Sequence, residues 1–314
     1  MTRTLRRLTW ALAAVGLIAA SVFVFRFPWN TTLEALEGVD VGLLLTALLI
    51  NLLSPVAKGW AWQLLLKAVA PCRWWVAQEA NLIGTAVNSL AAGVAGEAAR
   101  ISLVMQRDGV PARPALLSVA WSRAVEGLGL ALFVVIAPFV LDLPGPLRGL
   151  QIGAGVALVS LLAVSQFRGW EKVIARLPKG LAGAAADLAA MSSGGRLLGP
   201  TALTLLSWAA EWATYHLALR AVHLPVSYAA SFTALIAVNL GGLVRLTPAN
   251  VGVMQAAIVG ALLPFGIDAD QAVAGGLALQ VIEVIPILAL AVAVVGWAGL
   301  ERRLRAAEDF REPA

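Results

Sequence analysis

Uncharged apolar runs recur along the whole chain, at 8–25, 41–57, 80–96, 149–167, 221–244, 246–267 and 284–300. A helix needs about 20 apolar residues to cross the hydrocarbon of a bilayer, and most of these runs are of that order. Within a bilayer every backbone N–H and C=O must find a partner inside the chain, which leaves only helices or closed barrels. The runs are continuous and not alternating, so barrel strands are excluded. The expected fold is an all-α polytopic membrane protein. Composition agrees: of 314 residues 60% are hydrophobic and 13% charged, where a soluble domain carries about 25% charged residues.

The charge that remains is distributed unevenly. The net charge is +5, but it sits in loops and makes no soluble basic face, so a nucleic-acid partner is not expected. A single cysteine, Cys72, and two histidines leave no disulfide and no Cys- or His-based metal cluster. No Gly-x-Ser-x-Gly, His-Glu-x-x-His or Walker loop occurs, so neither a hydrolytic enzyme nor an ATP-driven pump is expected, and no cofactor.

Arginine and lysine mark the cytoplasmic side. Arg3, Arg6 and Arg7 precede a first helix over 8–27, read as uncleaved, and put the N-terminus in the cytoplasm. An acidic external loop follows, then helix two over 41–66, with Trp60, Trp62, Trp74 and Trp75 as interfacial aromatics at its end. The next apolar segment, 80–96, is followed by Arg100, Arg107 and Arg113. A full crossing would put them outside. A re-entrant pair, dipping over 76–94 and returning over 95–106, keeps them inside, and Asn81, Gly84, Asn88, Gly93 and Gly96 suit its turn. Helices over 114–141 and 149–167 then cross out and back to a basic linker, 168–198, with an interfacial helix. A helix over 199–219 precedes a second dipping pair, 228–247 and 250–266. The last helix, 271–299, ends at a basic cytoplasmic tail. The expectation is about six full spans plus two re-entrant hairpins, placed by the charge bias.

The halves of the chain resemble each other. LLLKAV at 64–69 matches LALRAV at 217–222, Asn81 matches Asn239, and Glu97-Ala98-Ala99 matches Gln255-Ala256-Ala257. Arg123-x-x-Glu126 matches Gln280-x-x-Glu283. One copy enters from the cytoplasm and the other from outside, an inverted-topology repeat as in many secondary transporters, whose substrate binds where broken helices of the two repeats meet. The whole chain, 1–314, then forms one membrane domain. Residues 1–40 are its first helix and loop, 41–141 repeat one, 149–198 the connecting helix and linker, 199–299 repeat two, and 300–314 the tail.

Charge inside an apolar segment needs a reason, because it costs about 2.5–3.5 kcal/mol at the bilayer centre. Arg123 and Glu126 share one helical face, three residues apart; they either line a cavity or tie two helices together. Glu283 stands one turn before Pro286, which loosens a helix, and Glu126 and Glu283 are the candidate proton carriers of a coupled cycle. Glu97 and Arg100 also share a face, and a guanidinium in Arg100's place can donate two parallel bonds to a phosphate. Arg245 lies just before the second break. Lys58 reads as a snorkelling lysine, with Glu211, its counterpart in the other half, as the candidate partner. Glu211 otherwise sits in a cluster of Trp208, Trp212, Tyr215 and His216 that reads as packing and interface, and His216 as a satisfied polar group.

Two blocks carry a family resemblance. Asn88 through Gly96-Glu97-Ala98-Ala99-Arg100, with Gly109-Val110 and Ser122-Arg123-x-x-Glu126, resembles the first block of the flippase-like domain family, which includes the transmembrane region of lysylphosphatidylglycerol synthases. Thr247-Pro248-Ala249-Asn250-Val251-Gly252 through Gln255, with Gly266, resembles its second block. The likeness extends over about 5–300. The family's Pro-Gly-Gly-x-Gly appears here as Pro-Ala-Asn-Val-Gly, its following Glu as Gln255, and the Arg of its last helix as Gln280. Only a short tail follows residue 300, so the resemblance implies lipid translocation across the cytoplasmic membrane and not aminoacyl transfer. The expected lipid is anionic or isoprenoid-type, and an envelope-biosynthesis enzyme is a candidate partner. The alternatives are a membrane enzyme acting on a lipid-linked substrate or a non-catalytic partner of such an enzyme. The expected substrate-facing set is Asn88, Glu97, Arg100, Arg123, Glu126, Arg245, Asn250, Gln255, Gln280 and Glu283.

Overall fold

The structure is a computed structural model that describes residues 38–90, 95–142, 145, 149–156, 158, 178–193, 195–242 and 250–309. Every regular element among them is helical, and no strand occurs among the described residues. The expected first helix, the second break at 243–249 and the stretch 159–177 lie outside them.

Helices α1 (Val41–Asn51) and α2 (Leu53–Lys67) form one 27-residue apolar span. Asp40 caps it, its Oδ1 accepting from the Leu43 N–H at 3.0 Å. The expected uninterrupted helix is instead broken at Leu52. Pro55 has no N–H for the Asn51 carbonyl, and a proline sits best in the first turn of a helix. On the outer face Val41, Leu45, Leu49, Leu53, Val56 and Trp60 recur at helical spacing and are all exposed. An apolar stripe of that length turned outward suits lipid, not water.

The first hairpin is α3 (Trp74–Leu90) and α4 (Ala95–Asp108). Its base is clasped twice. Arg73 Nε donates to Asp108 Oδ1 at 2.7 Å, and Arg107 Nη2 to Glu79 Oε1 at 2.9 Å. The arms close most tightly at two glycines: a Cβ on Gly84 would stand 2.8 Å from the Gly96 carbonyl oxygen. Trp62, expected at the interface, is instead fully buried between this hairpin and α5 (Ala112–Ile136), its Nε1 donating to Ser118 Oγ at 3.1 Å. Helix α6 (Lys179–Ser192) is pinned to α5 by Arg113 Nε on Asp187 Oδ2 at 2.8 Å.

Helix α7 (Leu198–Ala221) is the central post, packing on α1, α2 and α5 and on two later helices. Small buried residues, Ala210, Thr214 and Ala218, let its neighbours approach. The second hairpin is α8 (Tyr228–Gly241) and α9 (Val253–Leu262), and α10 (Ala269–Asp309) packs on α3, α7 and α9. Helix α10 runs to Asp309, past the predicted end at 299 and into the predicted tail. Pro286 lies within it and leaves the Ile282 carbonyl without its helical N–H. Asn51 supplies the missing donor, Nδ2 to the Ile282 oxygen at 3.1 Å, from a buried position. The expected loosening at Pro286 is therefore met by a side chain from the break in the first span.

Among the described residues three helical segments are long and apolar enough to cross a membrane: Val41–Lys67, Ala112–Phe139 and Ala269–Gly296. Both hairpins are built of shorter arms.

Candidate functional site

A cavity of about 590 Å³ lies where α1–α2, α3, α5, α7, α8 and α10 meet. Each helix turns a polar stripe toward it. Asn51, Ser54 and Lys58 fall at i, i+3 and i+7, as do Trp208, Glu211 and Tyr215, while Asn81, Thr85 and Asn88 fall at i, i+4 and i+7. Arg123 and Glu126 come from α5, Glu283 from α10, and Asn239 and Asn250 from either side of the second break.

The first charged cluster is centred on Arg123. Its Nη2 donates to Glu97 Oε1 at 2.6 Å and its Nη1 to Glu126 Oε2 at 2.7 Å. Asn88 extends the chain, Nδ2 donating to Glu97 Oε1 at 3.2 Å while Oδ1 accepts from the Gly96 N–H at 2.9 Å. Arg123 thus joins the hairpin arm α4 to α5 and still faces the cavity. Trp208 braces the same turn, its Nε1 donating to the Glu126 carbonyl at 3.1 Å.

The second cluster corrects two readings. Lys58 does not snorkel to an interface: Nζ donates to Glu211 Oε1 at 2.5 Å and lies 4.9 Å from the Trp208 ring centroid. Glu211 is not interfacial packing, for it lines the cavity and also accepts from Ser54 Oγ at 2.6 Å. Tyr215 and Glu283 complete this wall. Trp212 faces away, edge-on to Phe133, Tyr228 and Phe232. His216 stacks on Tyr228 with 4.3 Å between centroids and meets Ser231 Oγ at 3.2 Å, a satisfied polar group.

Other residues of the expected set fall elsewhere. Gln255 is 1% exposed and Gln280 9%, and neither lines the cavity. Gln255 Nε2 donates to Gln280 Oε1 at 2.6 Å while its own Oε1 accepts from the Gly252 N–H at 2.7 Å. The positions that form an ion pair in the first half, Glu97 and Arg123, thus have counterparts in the second half that also touch, without charge. Arg100, expected to reach a phosphate, does not line the cavity. It is 2% exposed, with its guanidinium carbon 4.3 Å from the Trp62 ring centroid. Nε and Nη2 have no acceptor there. Arg245 lies outside the described residues.

Asn250 explains one departure in the second block. Its φ is +55°, and that of Gly252 is +84°. The first place demands a left-handed backbone, which asparagine tolerates best after glycine. Asn250 therefore fills a glycine position without losing the turn, and adds a side chain at the cavity wall.

Asn51, Ser54, Tyr215 and Asn239 were not among the residues expected here. The polar stripe on each helix was the available signal, and it points the same way as the apolar stripe on the opposite face of α1–α2.

No curated protein matches the chain closely enough to lend it a role. The family model for the lysylphosphatidylglycerol synthase TM region matches residues 10–291, and the chain belongs to that family of membrane proteins.

Proposed function

We propose that the protein translocates a lipid with a phosphate-bearing head group, anionic or isoprenoid-type, across the cytoplasmic membrane. The head group passes through the 590 Å³ cavity while the tail stays in the bilayer. The observation that carries this reading is Arg123. It faces the cavity, and both of its bonds go to carboxylates, one of them on the hairpin arm α4. A lipid phosphate matches the same guanidinium fork, so it can take the place of Glu97 and release the hairpin from α5. Arm lengths support re-entry. Helices α8 and α9 have 14 and 10 residues, short of the roughly 20 that a span needs. In this reading the two hairpins enter from opposite sides, as an inverted repeat, and both termini are cytoplasmic. The protein acts as a transporter and not as an enzyme.

The test is purified protein in liposomes with a head-group-labelled phospholipid and a membrane-impermeant quencher. Wild type is expected to expose inner-leaflet label, and Arg123→Ala with Glu126→Gln to abolish the exposure. Full movement by that double variant would overturn the site. No movement of any envelope phospholipid by the wild type would overturn the function.

A further inference from the structure

Among the described residues five charged side chains line the cavity: Lys58, Arg123, Glu126, Glu211 and Glu283. Each cation already has its carboxylate, Lys58 with Glu211 and Arg123 with Glu126 and Glu97. Glu283 is left over: among the described residues it makes no ion pair with a lysine, arginine or histidine. A carboxyl inside a membrane protein that faces water and lacks a cation marks a proton or ion route by default. Glu126, the other acid with a claim from the sequence, is held by Arg123 at 2.7 Å and is committed to that pair.

We propose that Glu283, with the Tyr215 hydroxyl beside it, is the site where the transport cycle takes up and releases a proton. The surroundings fit the task. From α7 it faces Glu211 and Tyr215, and from α2 Lys58, which Glu211 already holds. Helices α1, α8 and α9 carry no Asp, Glu, Lys or Arg. The one acid of α3, Glu79, is tied to Arg107 at the base of its hairpin. On α5, Arg123 and Glu126 are locked to each other. Tyr215 is buried, and a phenol donates to a carboxylate and accepts from a carboxylic acid, so it serves both states. The turn is held in place one residue earlier, where Asn51 bonds the Ile282 carbonyl that Pro286 frees.

The step is a simple one. An O–H bond forms at the Glu283 carboxyl with a proton from water on one side, and breaks to water on the other. The proposal rests on the lipid-translocation reading for its consequence. Protonation removes one of the three negative charges that the described residues bring to the lining, so proton and phosphate head group favour each other. That coupling is reciprocal. Proton uptake and anionic-lipid binding should strengthen each other by roughly 5–150-fold, the usual range for coupled sites.

The experiment is infrared difference spectroscopy of the protein in phosphatidylcholine nanodiscs, titrated through the neutral range. Wild type is expected to show a carboxylic C=O band that disappears as pH rises and is missing in Glu283→Gln. Adding phosphatidylglycerol is expected to move its midpoint to higher pH. Tyr215→Phe keeps the acid and should shift the midpoint, which preserves the test if Glu283→Gln folds poorly. An unchanged titrating band in Glu283→Gln, or no such band in wild type, overturns the proton site whatever the liposomes show. A band indifferent to phosphatidylglycerol overturns the coupling. Absence of lipid movement in liposomes alongside a titrating Glu283 overturns the translocation reading and leaves the protonation site standing.

Discussion

Asn51 and Pro286 are 235 positions apart in sequence, yet one carbonyl joins them. Pro286 removes the N–H that would bond the Ile282 oxygen, and Asn51 Nδ2 replaces it at 3.1 Å. Asn51→Ala leaves that buried carbonyl with no partner, which costs about 1–3 kcal/mol, more than the roughly 0.5–1.5 kcal/mol net worth of a hydrogen bond. Pro286→Ala restores the helical N–H and removes a residue that costs up to about 3 kcal/mol in a helix interior, so alone it is neutral or stabilising. In the Pro286→Ala background the Asn51→Ala loss should shrink to the net hydrogen-bond term or below, a coupling of about 1 kcal/mol, within the 0.5–3 range of residues that share a partner. At about 2–4 °C per kcal/mol for domains somewhat smaller than this, the single variant loses on the order of 5 °C. The protein carries its own reporter. Cys72 is its one cysteine and is 8% exposed. Burial, and after it the nearby Asp108 carboxylate, push its thiol up to about 12. A thiol-reactive fluorophore therefore stays dark until unfolding exposes Cys72. Losses that simply add in the double variant would refute the idea that Asn51 works through Pro286.

The hairpin glycines should be intolerant. Gly84→Ala puts a methyl 2.8 Å from the Gly96 carbonyl oxygen, an overpacking worth about 1–3 kcal/mol, whereas Gly260→Ala, with nothing within 4 Å of its built Cβ, should stabilise by about 0.4–1 kcal/mol; the same melting assay separates them. Gln280→Arg alone buries a charge beside a neutral Gln255 and should cost several kcal/mol, on the order of 3–5, while adding Gln255→Glu should recover most of it by rebuilding the ion pair its counterparts Glu97 and Arg123 make. Equal melting of the single and double variants would mean that the two positions do not meet. The Cys72 thiol, raised to about 12 from an unfolded value near 8.5, contributes stability that is complete below the unfolded value and is lost as pH rises toward 12, so alkylation of native protein should speed up only at alkaline pH. Single cysteines at Gly109 and Asp268 then label without interference at neutral pH, Gly109 from the cytoplasmic side and Asp268 from outside; labelling of both from one side would sink the topology.

Most of the fold was legible because the bilayer limits the choices. Apolar runs gave the all-helical class, and the segments expected to pair at 76–94 and 95–106 fall on two packed helices whose base Arg73, Arg107, Glu79 and Asp108 close. The errors are local. The break at Leu52 follows from Pro55, a signal present in the chain but overruled by the apolar run around it. Trp62 was placed at an interface with Trp60, but residues two positions apart lie about 200° apart on a helix. Trp60 is therefore exposed while Trp62 is buried under Arg100. Sequence spacing fixes which residues share a face; it does not say which face meets which neighbour.

The site follows the same logic, with one difference. Arg123, Glu126 and Glu283 stood out because charge in an apolar run has few explanations, and all three line the cavity. Arg100 stood out for the same reason and is buried elsewhere, since a charge signals only that something must answer it, here the face of Trp62. Lys58 and Glu211 were each given an ordinary role, with their pairing kept as the alternative. Their matching places in the two halves were the better evidence, and they meet at 2.5 Å. The positions matched between the two halves also differ in charge. Equivalent pairs hold both hairpins to the helix that follows, Glu97 to Arg123 in one half and Gln255 to Gln280 in the other. Only the first pair is charged, and only its arginine lines the cavity. A phosphate can compete for Arg123, but a buried amide pair offers it nothing of comparable strength. Under the proposed translocation, a ligand-driven release among the described residues acts at the junction of α4 and α5.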